Sequence, residues 1–288
     1  MDVIELMKKE MLRRRYSLMT IKAYVCCIRK FLNSSKKNDI KKITKYDALE
    51  YLNKLAEKDV SGSTINVCLQ SIKFMMEEIL HRRRTFYNIK YAKVPKRLPT
   101  VLSQEEILTL LDSIKNKKHI LAIKLMYSAG LRVSELVHLK VKDIEFDKNF
   151  GYVRGGKGNK DRLFIIAEKI NKKLQDYIKE NNLGSDSWLF QGYKGHHLSQ
   201  KSIYMITKKA AKKAKIEKNV HPHTLRHSFS THLIENGYSV ASVQSLLGHK
   251  SPETTMVYVH MASPRMINIK SPLDTLDKDC NHKGGSEE

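Results

Sequence analysis

Between residues 144 and 166 the apolar pattern of this 288-residue chain departs from the helical period that governs its surroundings. The segments DIEF, GYVRGG and DRLFII are separated by the turn-rich tetrads DKNF and KGNK. That order predicts a three-stranded antiparallel meander set among helices. The fold class follows: mainly α, with a helical N-terminal domain and a mixed α/β C-terminal domain holding one small three-stranded antiparallel sheet. Lys157 falls at the tip of the second hairpin, a position that lysines commonly decorate. KGNK lacks the G-x-x-x-x-G-K-[ST] order and precedes no helix, so it is not a phosphate-cradling loop.

Residues 1–86 read as four helices, with starts at Ser17 or Thr20, at Thr44 and at Ser61 or Ser63. In the second helix Ile21, Tyr24, Val25, Ile28 and Leu32 share a face, and Lys22, Arg29 and Lys30 lie away from it. The triplets Arg13 to Arg15 and Arg82 to Arg84 fit two readings, a grip on a polyanion backbone or favourable charge at helix C-termini. From residue 87 to 101 the period disappears and Pro95 and Pro99 interrupt a basic run, which predicts an extended linker. Ser103 with Glu106 forms a capping box for a helix to about Ile114, and another helix spans His119 to Ser128. The chain then turns at Gly130, and AGLRVSEL places Arg132 and Glu135 beside the apolar anchors Val133, Leu136 and Val137. Helices resume over 167–182 and 199–215, the latter basic with a stripe of Ile203, Ile206 and Ala210.

Lys and Arg number 53 against 30 Asp and Glu, a formal charge of +23. Such an excess implies a polyanionic partner, because each phosphate contacted releases counterions. A basic proteome or an anionic membrane surface gives the same excess, so charge supports the argument without carrying it. Cys26, Cys27, Cys68 and Cys280 show no C-x-x-C spacing and read as reduced cytosolic thiols. No apolar run is long enough to span a bilayer and the amphipathic start MDVIELMKKE is no signal peptide, so a cytoplasmic, nucleoid-associated protein without a membrane partner is expected.

The stretch from His221 to Tyr258 gathers His223, Arg226, His249 and Tyr258 in helical surroundings. A phenol attacks a phosphate only if one group removes its proton and others hold the phosphate's charge. A metal reading of His221, His223 and His227 finds no H-E-x-x-H, no carboxylate and no nearby cysteine, so neither metal nor cofactor is expected. His221, His227 and His232 read as packing or solvent-facing residues.

The combination GLRVSEL, GGKGNKDR, HTLRHSFSTHLIENG and LGHKSPETTMVYVH resembles the tyrosine recombinases of the phage integrase family, particularly the Xer type. The likeness extends over nearly the whole chain. It implies a DNA core-binding domain over 1–86, a basic linker over 87–101, a catalytic domain over 102–265 and a C-terminal tail over 266–288 that docks on a neighbouring subunit. It also implies that Tyr258 is the nucleophile, Arg132 and Arg226 hold the phosphate, His249 hydrogen-bonds it, His223 is the general base, Lys157 the general acid and Glu135 a supporting acid. The implied partner is double-stranded DNA with inverted-repeat half-sites, bound by a homotetramer or by a heterotetramer with a related recombinase. The implied reaction proceeds through a 3′-phosphotyrosine and a Holliday junction, in chromosome dimer resolution or mobile-element integration, without ATP or metal. A catalytically silent DNA-binding regulator and a type IB-like topoisomerase are the alternatives. The six catalytic residues are expected to converge on one phosphate-sized site.

Overall fold

The computed structural model describes residues 2–35, 37, 39–82, 86, 88–95, 98–155, 161–248 and 255–256. It divides into two compact units, Met1–Arg97 and Leu98–Glu288.

In the first unit α1 (Val3–Arg13) starts at an Asp2 cap, whose carboxylate accepts from the Ile4 backbone. Helix α2 (Leu18–Ser35) starts where Ser17 Oγ accepts from the Thr20 amide at 3.0 Å. A reciprocal Thr44/Asp47 capping box opens α3 (Lys45–Glu57), and Ser61 caps α4 (Gly62–Lys73), which runs on into a π-helical turn over Phe74–Ile79. These caps satisfy amides that have no partner within their own helix. The core gathers Met7, Met11, Ile28, Phe31, Ile43, Leu69, Ile72, Met75 and Met76. In α2 Phe31, not Leu32, completes the buried row with Ile21, Val25 and Ile28; Leu32 packs at its margin. Cys68 on α4 donates to Cys27 on α2 across 3.0 Å, which lowers the Cys27 thiol to about 7, and both are free thiols. Cys280 lies outside the described residues.

Three arginines of the two triplets make contacts within the first unit. Arg13 and Arg14 both pair with Glu10, and Arg14 reaches Glu78 as well. Arg82 donates to the carbonyls of Lys41 and Ile43. The stretch expected to be an extended linker begins packed: Ile89 joins Phe86, the last residue of the expected first domain, in the first core, and the Ala92 backbone exchanges two hydrogen bonds with the Asn66 side-chain amide.

The second unit opens with α5 (Gln104–Asp112), started by the Ser103/Glu106 capping box, and α6 (Lys117–Ser128), which is capped by Asn116 and begins two residues before the expected start at His119. After the Gly130 turn comes the short α7 (Val133–Val137). The sheet follows, β1 (Ile144–Glu145), β2 (Phe150–Val153) and β3 (Arg162–Ile165), antiparallel in that order with Gly151 opposite Phe164. The expected meander is therefore present. Helices α8 (Glu168–Glu180), α9 (Gln200–Lys213), α10 (Pro222–Glu235) and α11 (Val240–Leu247) complete the described unit. On α9 the buried stripe is Ile203, Thr207, Ala210 and Ala211, with Ile206 only partly covered.

Helix α10 occupies the centre and is buried on nearly every side. Its serines are tolerated there because their hydroxyls find partners: Ser228 donates to the Thr224 carbonyl and accepts from the Leu102 amide, and Ser230 donates to the Arg226 carbonyl, whereas the buried Thr231 hydroxyl has no partner among the described residues. Such a helix is a rigid platform for whatever side chains it projects. Among the described residues, no helix is long and apolar enough to cross a membrane.

Candidate active site

The site begins at the Gly130 turn. Gly130 has φ +57°, and a Cβ there would stand 2.4 Å from the Phe229 ring, so both conformation and space require glycine. The turn exposes the Gly130 carbonyl, which accepts from Arg226 Nη1 on α10. Two residues on, Arg132 precedes the first turn of α7, and Glu135 folds back to it. Its Oε2 accepts from the Arg132 amide at 2.8 Å and its Oε1 from Arg132 Nη1 at 2.7 Å.

Glu135 is buried and surrounded by guanidiniums. Arg162, the first residue of β3, donates to Oε2 at 2.6 Å, and Arg226 Nη1 stands 3.8 Å from the same oxygen. Burial pushes the Glu135 carboxyl up, but the Arg162 charge and the hydrogen bonds from Arg132 and Arg162 outweigh it and hold the group below the usual carboxylate range. Glu135 is therefore an anion at neutral pH, and one carboxylate orders three cations. Arg132 keeps more of its side chain in solvent, 22 % against 4 % for Arg226. Arg226 Nη2 donates to the Leu247 carbonyl at 2.7 Å, tying α10 to the end of α11.

His223 lies one helical turn before Arg226 and is exposed. Partial desolvation, then the positive surroundings of His221, Arg226 and Arg132, hold its imidazole below the ordinary histidine value. It is thus neutral at pH 7, the form that can accept a proton. His221, expected to be packing or solvent-facing, instead caps α10: its Nδ1 accepts from the Thr224 amide, and Thr224 Oγ1 accepts from the His221 amide. Pro222 at the first helical position needs no amide partner. His232 is buried with its Nδ1 2.8 Å from the Tyr127 hydroxyl. Burial lowers His227 to about 4.

The structure thus brings together Arg132, Glu135, Arg226 and His223. Lys157, His249 and Tyr258 lie outside the described residues. Arg162 is the member of the cluster that the sequence reading missed. Its signal was the strand alternation in DRLFII: Phe164 and Ile166 are buried, so Arg162 belongs on the same inward face.

Comparison with known proteins gives this cluster a context. The phage integrase family pattern matches residues 100–265, and the N-terminal SAM-like domain of phage integrases matches residues 3–85. A tyrosine recombinase of Thermosipho africanus is 35% identical over 90% of this chain and 95% of its own. Tyrosine recombinase XerA of Pyrococcus horikoshii is 36% identical over 77% of this chain and 78% of its own. Among solved structures, XerH recombinase bound to a palindromic difH substrate superimposes with a TM-score of 0.72 at 26% identity, covering 88% of this chain and 79% of that one. A lambda integrase dimer bound to a core site shares the fold with a TM-score of 0.73 at 18% identity, covering 89% of this chain and 93% of that one. The chain belongs to the phage integrase family of tyrosine recombinases and is akin to the Xer type.

Proposed function

We propose that this protein cuts and rejoins DNA at specific sites through a 3′-phosphotyrosine on Tyr258, exchanging strands by way of a Holliday junction. The observation that carries this reading is the pair of guanidiniums, Arg132 and Arg226, set on one buried carboxylate beside the neutral imidazole of His223. A scissile phosphate needs those three things: charge for its non-bridging oxygens, a fixed frame and a proton acceptor.

The roles follow from the chemistry. A free phenol has a pKa of about 10, so roughly a thousandth is ionised at pH 7, a deficit of about 4 kcal/mol. His223 takes the phenol proton as the Tyr258 oxygen attacks phosphorus, Lys157 protonates the departing 5′ oxygen, and His249 donates to the phosphate. Arg132 and Arg226 hold the charge of the five-coordinate phosphorus, and Glu135 fixes both. The bond energy of the broken backbone is retained in the phosphotyrosine, so religation needs no ATP. Charge and protons are all supplied by side chains, so the reaction runs without a divalent metal.

The DNA partner is a duplex with inverted-repeat half-sites, and the working assembly is a tetramer. The XerH and lambda integrase structures were obtained with DNA bound, which favours a duplex partner here.

The test uses a nicked duplex recovered by selecting random-sequence DNA on the wild-type protein. Wild type is expected to form a covalent protein–DNA adduct, and Tyr258→Phe to bind the duplex without forming one. An adduct that survives Tyr258→Phe excludes the assignment. Binding without any wild-type adduct identifies a regulator, and relaxation of supercoiled plasmid by the monomer without joined products identifies a topoisomerase.

A further inference from the structure

Arg162 is 9 % exposed, and both of its terminal nitrogens are committed inward. Nη2 donates to Glu135 Oε2 at 2.6 Å, and Nη1 donates to the Leu246 carbonyl at 2.5 Å, near the end of α11. Arg226 repeats the arrangement one residue later, with one nitrogen on the Leu247 carbonyl and another facing Glu135. Two consecutive carbonyls at a helix C-terminus, which no intrahelical amide reaches, are thus capped by two guanidiniums that share one carboxylate. The next residue, Gly248, has φ +61°, and a Cβ there would lie 2.8 Å from Arg162 Cδ. The turn leading from α11 toward His249 is therefore built against the Arg162 stem. Arg162 Nε is buried and finds no hydrogen-bond partner among the described residues, so the placement is fixed by the two Nη contacts and by packing.

We propose that Arg162 is a positioning residue of the recombination site. It is a strut from β3 that sets Glu135, and through it Arg132 and Arg226, against the C-terminal turn of α11. Its two Nη atoms face the carboxylate and the carbonyl, so its part is to hold Glu135 and the end of α11 in place. A lysine cannot replace it, since one ammonium lacks the fork that spans two acceptors in different elements. The proposal rests on the reading of Arg132 and Arg226 as the phosphate-holding pair.

The test compares full-length wild type, Arg162→Gln and Arg162→Lys in single-turnover cleavage of the selected nicked duplex, alongside binding and thermal melting. For Arg162→Gln, cleavage is expected to fall about 10- to 100-fold, the usual scale for a residue that orients a site's direct ligands, with Kd within about twofold. Arg162→Lys recovers only a minor part of the loss. Two further measurements separate positioning from general support of the fold. If Arg162 acts through Glu135, Arg162→Gln combined with Glu135→Gln cleaves no worse than the poorer single variant, within about twofold; multiplied losses overturn the proposal. On a substrate with sulfur in place of the 5′ bridging oxygen, the leaving group needs no proton. The Arg162→Gln deficit is expected to persist there, and its disappearance would instead place Arg162 on the leaving-group side with Lys157. If Arg162→Gln gives no cooperative melt, Arg162→Lys and Gly248→Ala, which crowds the Arg162 stem, carry the same comparison. Folded variants that cleave at the wild-type rate overturn the proposal while leaving the recombinase reading intact, whereas a wild type that forms no adduct overturns both.

Discussion

Each charged group of the site is tolerable only because of a named neighbour. Arg226 is buried, and the carbonyls of Gly130 and Leu247 together with Glu135 make that burial possible. Arg132, Glu135, Arg226 and His223 are legible in the sequence because they sit in short contiguous motifs that resemble those of the tyrosine recombinases. Arg162 stayed hidden because its partners, Glu135 and Leu246, are remote in sequence and meet only in three dimensions. His227 leads to an expectation about acid. Its imidazole protonates from about pH 6.5 in the unfolded chain but only near about 4 when folded. The unfolded state therefore binds more protons between those values, and stability falls as pH drops through that window, then levels off for this group below it. His119, His221, His223 and His232 are shifted in the same direction and add to the effect. Thermal melts from pH 7 to pH 4 are expected to show a progressive loss, with His227 contributing up to about 3 kcal/mol. His227→Gln should flatten part of that slope, and an unchanged slope would rule out His227 as a contributor.

At the scale of elements, helices were legible where a cap and an apolar period coincided, as at Ser17, Thr44, Ser61 and Ser103. The meander was legible from its turn tetrads and its change of period. The linker over 87–101 reads as extended because prolines and lysines dominate it, yet Ile89 joins Phe86 in the first core and Ala92 is pinned by Asn66. Two apolar residues in a basic run give no periodicity, so their burial comes from tertiary packing alone. The bounds of the central helix α10 are not legible from amphipathicity, since burial on nearly all sides leaves no polar face to read. The Gly130 turn joins α6, α7 and α10 in a way that one substitution tests. Gly130→Ala forces a left-handed residue to carry a Cβ and drives it to 2.4 Å from the Phe229 ring. The expected cost is about 2–4 kcal/mol in urea unfolding. Because the Gly130 carbonyl also accepts from Arg226, cleavage by the folded fraction should fall as well. A stable variant with full activity would show that the turn neither limits packing nor aims Arg226.

For the whole molecule, two kinds of electrostatics are superimposed, and one experiment separates them. The chain carries a net +23, spread over both halves of the sequence, whereas the site confines its charge to guanidiniums ordered by Glu135. The diffuse charge governs association: binding that neutralises Z phosphates weakens linearly in log–log salt with a slope of about −0.9Z. With on the order of 6–10 phosphates contacted, affinity for the selected duplex is expected to drop about 10³- to 10⁵-fold between roughly 50 and 200 mM salt. The confined charge governs the chemical step. If guanidiniums hold the phosphate, the single-turnover cleavage rate at saturating protein is unchanged in excess chelator and nearly insensitive to salt, because buried pairs are screened far less than exposed ones. If a divalent cation held it, chelation would abolish cleavage while leaving the salt slope of binding in place. Measuring adduct formation and binding together across salt, with and without chelator, therefore assigns the phosphate's charge to protein or to metal independently of how tightly the duplex is held.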